Sequence, residues 1–148
     1  MIRVKSFGTL GDETISNYEK ELGFPIPEDY RNFIKNNNGG SVIDQLFFVE
    51  DLDQYIPADV FFGINIESRT FNLDFWLKEY KEELQENTLI IGCHPGGGLL
   101  TYITSGEDKG IYFWDHQHFF PQSSVDEGNT YYLADSFDEF ADGLKDES

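Results

Sequence analysis

Basic residues are scarce in this chain: Lys and Arg total 10 against 28 Asp and Glu, so 28 − 10 leaves a formal charge of −18 at pH 7. A surface with that field repels polyanions, which argues against direct nucleic-acid binding; it favours a basic protein as partner, with solubility alone as an equal reading of the same charge. Cysteine is scarcer still. Cys93 is the single thiol in 148 residues, so no disulfide can close within the chain, and a lone thiol fits a reducing compartment. Long apolar runs are missing as well. The opening residues, Met1-Ile2-Arg3-Val4-Lys5-Ser6, lack the hydrophobic stretch of a signal peptide, and no other segment reaches membrane-spanning length. The expectation is a cytoplasmic protein with neither a membrane nor a nucleic-acid partner.

Aromatic residues, in contrast, are plentiful. They make up 16% of the sequence, with 14 Phe and 8 Tyr, which supplies apolar area for a core despite the polar average and argues against disorder. The length suits one domain with one core.

Helix signals come first along the chain. Asp12 is placed to cap a helix from about Glu13 to Leu22, because Ile15, Tyr18 and Leu22 share a face and Gly23 suits a left-handed stop. Pro27 opens a second helix, its apolar face Tyr30, Phe33 and Ile34, which ends in Asn36-Asn37-Asn38-Gly39-Gly40. Leu46-Phe47-Phe48-Val49 and Val60-Phe61-Phe62 read as strands joined by an acidic, exposed loop, Glu50-Asp51-Leu52-Asp53-Gln54-Tyr55. Asn72 is placed to cap a third helix carrying Leu73, Trp76, Leu77, Tyr80 and Leu84 at helical spacing. Leu89-Ile90-Ile91, Leu99 to Ile103 and Ile111 to Trp114 follow as strands, the last two forming a hairpin, and Tyr131-Tyr132-Leu133 adds a short one. Ser136 and Glu139 stand at capping-box spacing before a closing helix with Phe137, Phe140, Ala141 and Leu144 as its buried stripe.

The run Leu22-Gly23-Phe24-Pro25-Ile26-Pro27-Glu28-Asp29-Tyr30-Arg31-Asn32-Phe33-Ile34, closed by Asn38-Gly39-Gly40, resembles the N-terminal signature of the SUKH superfamily, which includes the yeast cell-wall-assembly regulators. Three further landmarks follow in the family's order: Gly92 with Gly96-Gly97-Gly98, then Ile111 to His116, then Leu133 to Phe140. The resemblance implies a single α+β domain, a mixed and mostly antiparallel sheet flanked by about four helices. It also implies, for bacterial members, a role as immunity proteins against polymorphic toxins, many of them nucleases. It brings no catalytic residue and no cofactor with it. The region from Asp44 to Lys81 varies among members and rests on pattern alone.

Three groups of residues invite chemistry. The glycines after Cys93 and His94 suggest a phosphate cradle, yet no Lys-Ser or Lys-Thr follows and the next residues read as a strand, so a tight turn or close backbone approach is preferred. Cys93 and His94 pair as nucleophile and base only on paper, since neighbours on a strand face opposite ways, and a buried structural thiol is preferred. His116 and His118 can reach one ion from an extended segment, but a catalytic zinc needs a third ligand, which would have to come from His94 or a distant carboxylate. No metal and no catalytic residue is assigned.

Binding surfaces favour aromatic anchors ringed by polar groups, which nominates two patches. One is Glu50, Asp51, Asp53 and Tyr55. The other is Asp115, His116, Phe119, Phe120, Asp126 and Glu127. The leading reading is an inhibitor that meets a basic toxin through acids and rings; an intracellular scaffold or regulatory adaptor is the alternative, and a metal-dependent hydrolase using His116 and His118 ranks below both.

Overall fold

The computed structural model describes residues 2–116 and 129–147, and all that follows concerns those. Ten strands and four helices alternate along the chain: β1 (Val4–Ser6), α1 (Asp12–Leu22), α2 (Glu28–Asn36), β2 (Gly40–Val42), β3 (Gln45–Val49), β4 (Gln54–Pro57), β5 (Val60–Phe61), α3 (Leu73–Tyr80), β6 (Thr88–Cys93), β7 (Leu99–Ile103), β8 (Gly110–Trp114), β9 (Thr130–Ala134), α4 (Phe137–Asp142) and β10 (Lys145–Asp146). Seven strands form the main sheet in the order β1-β2-β5-β6-β7-β8-β9, and β10-β3-β4 form a small one. Every strand pair is antiparallel, and parallel pairing is confined to an isolated bridge between Gly63 and Asn72. The architecture is the expected α+β one.

Layering follows from the side chains. Thr88 to Gly92 of β6 and Leu99 to Tyr102 of β7 are all buried, the mark of strands covered on both faces. Adjacent residues of β5 and its extension show the two covers: Phe61 packs edge-on against Phe33 of α2 and against Phe137 and Phe140 of α4, while Phe62 stacks on Trp76 of α3. The small sheet joins the α2 and α4 side, where Phe47 meets Phe113 and Phe140.

Polar groups inside the fold are spent on backbone. Tyr30 donates from its hydroxyl to the Phe62 carbonyl at 2.5 Å, tying α2 to the sheet. Asn38 pairs with Ile64 like a strand neighbour, accepting from its N–H and donating to its C=O, both at 2.7 Å. Gly63 is required beside it, because a Cβ there would collide with the Asn38 side chain and carbonyl.

Asp29 is the most heavily used carboxylate. It accepts from the N–H groups of Phe137 (2.8 Å) and Asp138 (3.2 Å), the first two donors of α4, and from the Tyr102 hydroxyl at 3.0 Å. Ser136 Oγ takes the Glu139 N–H at 3.1 Å, so the first turn of α4 is satisfied by two side chains from different parts of the chain.

Several expected details are corrected. Gly11 occupies the N-cap of α1, and Asp12 lies in the first turn, where it reaches Lys35 at 3.1 Å. Asn72 stands at the N-cap of α3 but turns its amide away from the helix, accepting from the Ile66 N–H and donating to the Ile66 and Ser68 carbonyls. The acidic loop is a 3-10 turn, Glu50–Leu52, followed directly by β4. The short strands β1, β2 and β10 were not expected.

A candidate partner-binding surface

The nominated hairpin acids owe their exposure to strand alternation. In β3, Gln45, Phe47 and Val49 point inward while Phe48 is 39% exposed. The 3-10 turn buries Leu52 and leaves Glu50 and Asp51 outside, and Asp53 closes it in the left-handed conformation at φ 49°, a backbone state Asp tolerates better than most residues. β4 then returns with Tyr55 opposite Phe48, their rings 5.0 Å apart. Lys145 of β10 lies over the Tyr55 ring at 4.7 Å. Glu50, Asp51 and Asp53 form no ion pair among the described residues, so their charges face solvent.

A cleft of about 320 Å³ connects this hairpin to β9 and α4, with Phe48 and Glu50 on one wall and Tyr132 and Glu139 on the other. Tyr132 is 43% exposed and donates to the Asp135 carboxylate, a bond that pushes its phenol up to about 12. Three exposed rings, Phe48, Tyr55 and Tyr132, therefore sit among Glu50, Asp51, Asp53, Asp135 and Glu139.

The first nominated patch is thus gathered on one hairpin with every member exposed. The second is not assembled in the same way. Asp115 is fully buried, and His116 is half-buried against the rings of Tyr80 and Trp114, each 5.1 Å away. Phe119, Phe120, Asp126, Glu127 and His118 lie outside the described residues. Sequence reading missed Phe48, Tyr132 and Glu139. Phe48 was legible as an alternate of buried Phe47 within one strand, whereas Tyr132 and Glu139 meet the hairpin only through the tertiary fold.

The Cys93 and His94 segment is a built turn. Gly98 donates its N–H to His94 Nδ1 at 3.0 Å and its carbonyl accepts from the His94 N–H at 3.0 Å. A Cβ on Gly98 would lie 2.5 Å from the Phe113 ring, so the third glycine serves close packing, as expected for that run. Among the described residues no three His, Cys, Asp or Glu side chains converge as metal ligands.

Burial, with the Asp59 carboxylate adding to it, pushes the Cys93 thiol up to about 12 from an ordinary 9.0. That difference cuts its thiolate fraction roughly a thousandfold. Ellman's reagent at pH 8 is expected to label the native chain orders of magnitude more slowly than the urea-unfolded chain; equal rates would place Cys93 in a reactive setting.

Burial lowers His94 below its ordinary 6.5, against the pull of the Asp115 and Asp59 carboxylates, and a donor facing Nδ1 requires that nitrogen to keep its lone pair. Below pH 6.5 the unfolded chain takes up a proton that the folded imidazole refuses, so His94 costs stability on acidification, at most about 1.4 kcal/mol per pH unit. Denaturant titrations at pH 7.5 and 5.5 are expected to show a larger loss for the parent chain than for His94→Asn, which keeps an acceptor and does not titrate. Matching losses would mean that the imidazole charges inside the fold.

No helix among the described residues is long and apolar enough to cross a membrane. No curated protein matches the chain. A family model does, that of the SMI1 / KNR4 family (SUKH-1), over residues 9–143, and that span contains all four helices and eight of the ten strands, all but β1 and β10 at its margins. The chain belongs to the SMI1 / KNR4 family (SUKH-1).

Proposed function

We propose that this chain is an immunity protein that binds a basic protein toxin of the nuclease class through the surface formed by Phe48, Tyr55 and Tyr132 and the acids around them. The observation that carries this reading is the coincidence of exposed rings with unpaired carboxylates on the α2 and α4 side of a SUKH-family fold. A charge of −18 steers a cationic protein into encounter, and the rings then supply desolvated contact that slows its release. A nuclease surface that binds polyanionic substrate is itself basic, so occupying it with carboxylates both recognises and blocks it. The chain performs no catalysis in this scheme and acts in the cytoplasm, in keeping with its single unpaired thiol.

Surface plasmon resonance against purified basic nuclease toxin domains tests the proposal. A one-to-one complex is expected at 50 mM salt, its association rate falling about tenfold or more by 500 mM as the exposed charges are screened. Absence of a complex at low salt removes the proposal. Binding to several unrelated proteins without loss of toxin activity would instead support the adaptor reading.

A further inference from the structure

On the opposite side of the sheet from the partner surface, a cleft of two lobes runs between α1 and α3. The larger lobe, about 390 Å³, is walled by Leu22, Phe24, Leu77 and Leu84 and also lined by Tyr18 and Thr88. The smaller, about 300 Å³, runs past Ile64 and Phe75. Tyr18, Glu21, Asp74 and Lys78 line both lobes and form a polar waist between them.

Two buried hydroxyls on residues lining this cleft have no partner among the described residues. They are those of Tyr18, a residue 7% exposed, and Thr88, 3% exposed. Folded proteins pair such groups almost without exception. In a cavity whose size falls within the range of small-molecule sites, and whose walls are apolar, an orphaned hydroxyl marks where a ligand's polar group belongs.

Charge at the waist selects the ligand. Burial keeps the Tyr18 phenol protonated, and the carboxylates of Asp74 and Glu21 add to that effect, so the potential at its oxygen is negative. An oxygen in such a potential accepts well from a cation. Lys78 reaches Asp74 at 2.9 Å, yet its side chain is 76% exposed, and an i,i+4 surface pair is weak enough for a better-placed cation to displace. The overall charge of −18 disfavours an anion. We propose that the α1–α3 cleft binds a small amphipathic amine, its ammonium between the Tyr18 hydroxyl and the Asp74 carboxylate and its apolar body against Leu22, Phe24, Leu77 and Leu84. In the free protein the Lys78 ammonium pairs with the Asp74 carboxylate at 2.9 Å and leaves the Tyr18 hydroxyl without a partner. The site is independent of the toxin reading.

Hexylammonium, hexanol and hexanoate share a body and differ in head group, so titrating each into the full chain while following backbone amide NMR shifts tests the assignment. Hexylammonium is expected to shift Tyr18, Leu77 and Thr88 saturably, with hexanol at least tenfold weaker and hexanoate silent. Tyr18→Phe should weaken hexylammonium about tenfold without lowering the melting temperature, because it removes an unpaired oxygen and keeps the ring. Lys78→Ala should tighten it severalfold by removing the competing ammonium. No saturable shift up to about 20 mM, equal binding of the three probes, or unchanged binding by Tyr18→Phe overturns the proposal. So does a lysine-rich peptide that occupies the same amides more tightly than hexylammonium, which would assign the cleft to a protein side chain.

Discussion

Asp29→Ala is expected to melt roughly 10 °C below the parent chain, a loss of about 3 kcal/mol. The carboxylate accepts from the Phe137 and Asp138 N–H groups, from Tyr102 and from the neighbouring Tyr30 N–H, and its removal strands all four donors at once. Two of them are the first donors of α4, a helix of only 6 residues with little intrinsic stability of its own. The third belongs to a tyrosine that is 1% exposed, where an unpaired hydroxyl is costly. Asp29→Asn keeps one acceptor oxygen and should lose about half as much. Tyr102→Phe combined with Asp29→Ala should cost less than the two single losses added together, because both remove the same bond. A melting point within a degree or two of the parent for Asp29→Ala would show that α4 docks by its Phe137 and Phe140 rings alone.

That role was only half legible. Pro-Glu-Asp-Tyr before an apolar helical stripe is good helix-start chemistry, and α2 begins where that chemistry places it. The local pattern cannot show that Asp29 serves a helix more than a hundred residues later, because the bonds to Phe137 and Asp138 exist only once the sheet has brought α2 and α4 together. Long amphipathic or continuous apolar segments, such as α1, β6, β7 and β8, were readable because burial on a regular period leaves a trace in sequence. β1, β2 and β10 were not, since strands of 3, 3 and 2 residues are too short to display alternation and form through pairing with neighbours already in place.

The candidate surface divides along the same line. Glu50, Asp51, Asp53 and Tyr55 were legible because acids and a ring within one short loop must stay near one another however the chain folds. Asp115 carries the same charge and drew the same reading, yet it lies at the end of β8 fully buried, its N–H bonded to the Asn129 carbonyl at 2.7 Å. The interior position reflects the antiparallel pairing of β8 with β9, which no feature of Trp114-Asp115-His116 announces. Tyr132 was read as part of a strand and nothing more; it joins the surface because β9 is an edge of the main sheet and lies beside the small one.

Replacing Phe48, Tyr55 and Tyr132 together by alanine is expected to weaken the proposed toxin complex by about three orders of magnitude or more while leaving the fold intact. Each ring is exposed by 39% or more, so truncation removes little that the monomer itself buries. An anchor that becomes desolvated in a complex carries about 2 kcal/mol, close to thirtyfold in affinity, and most of that loss lies in a faster dissociation rate. Glu50→Gln, Asp51→Asn and Asp53→Asn combined should act on the other half of the process. Their carboxylates are exposed and unpaired, so the triple amide variant should associate more slowly and lose much of its salt dependence, with dissociation little changed. Measuring both variants by surface plasmon resonance at two salt concentrations separates the contributions. Unaltered dissociation in the alanine variant, with an unchanged melting temperature, would place the toxin elsewhere on the molecule and withdraw the rings from the proposal.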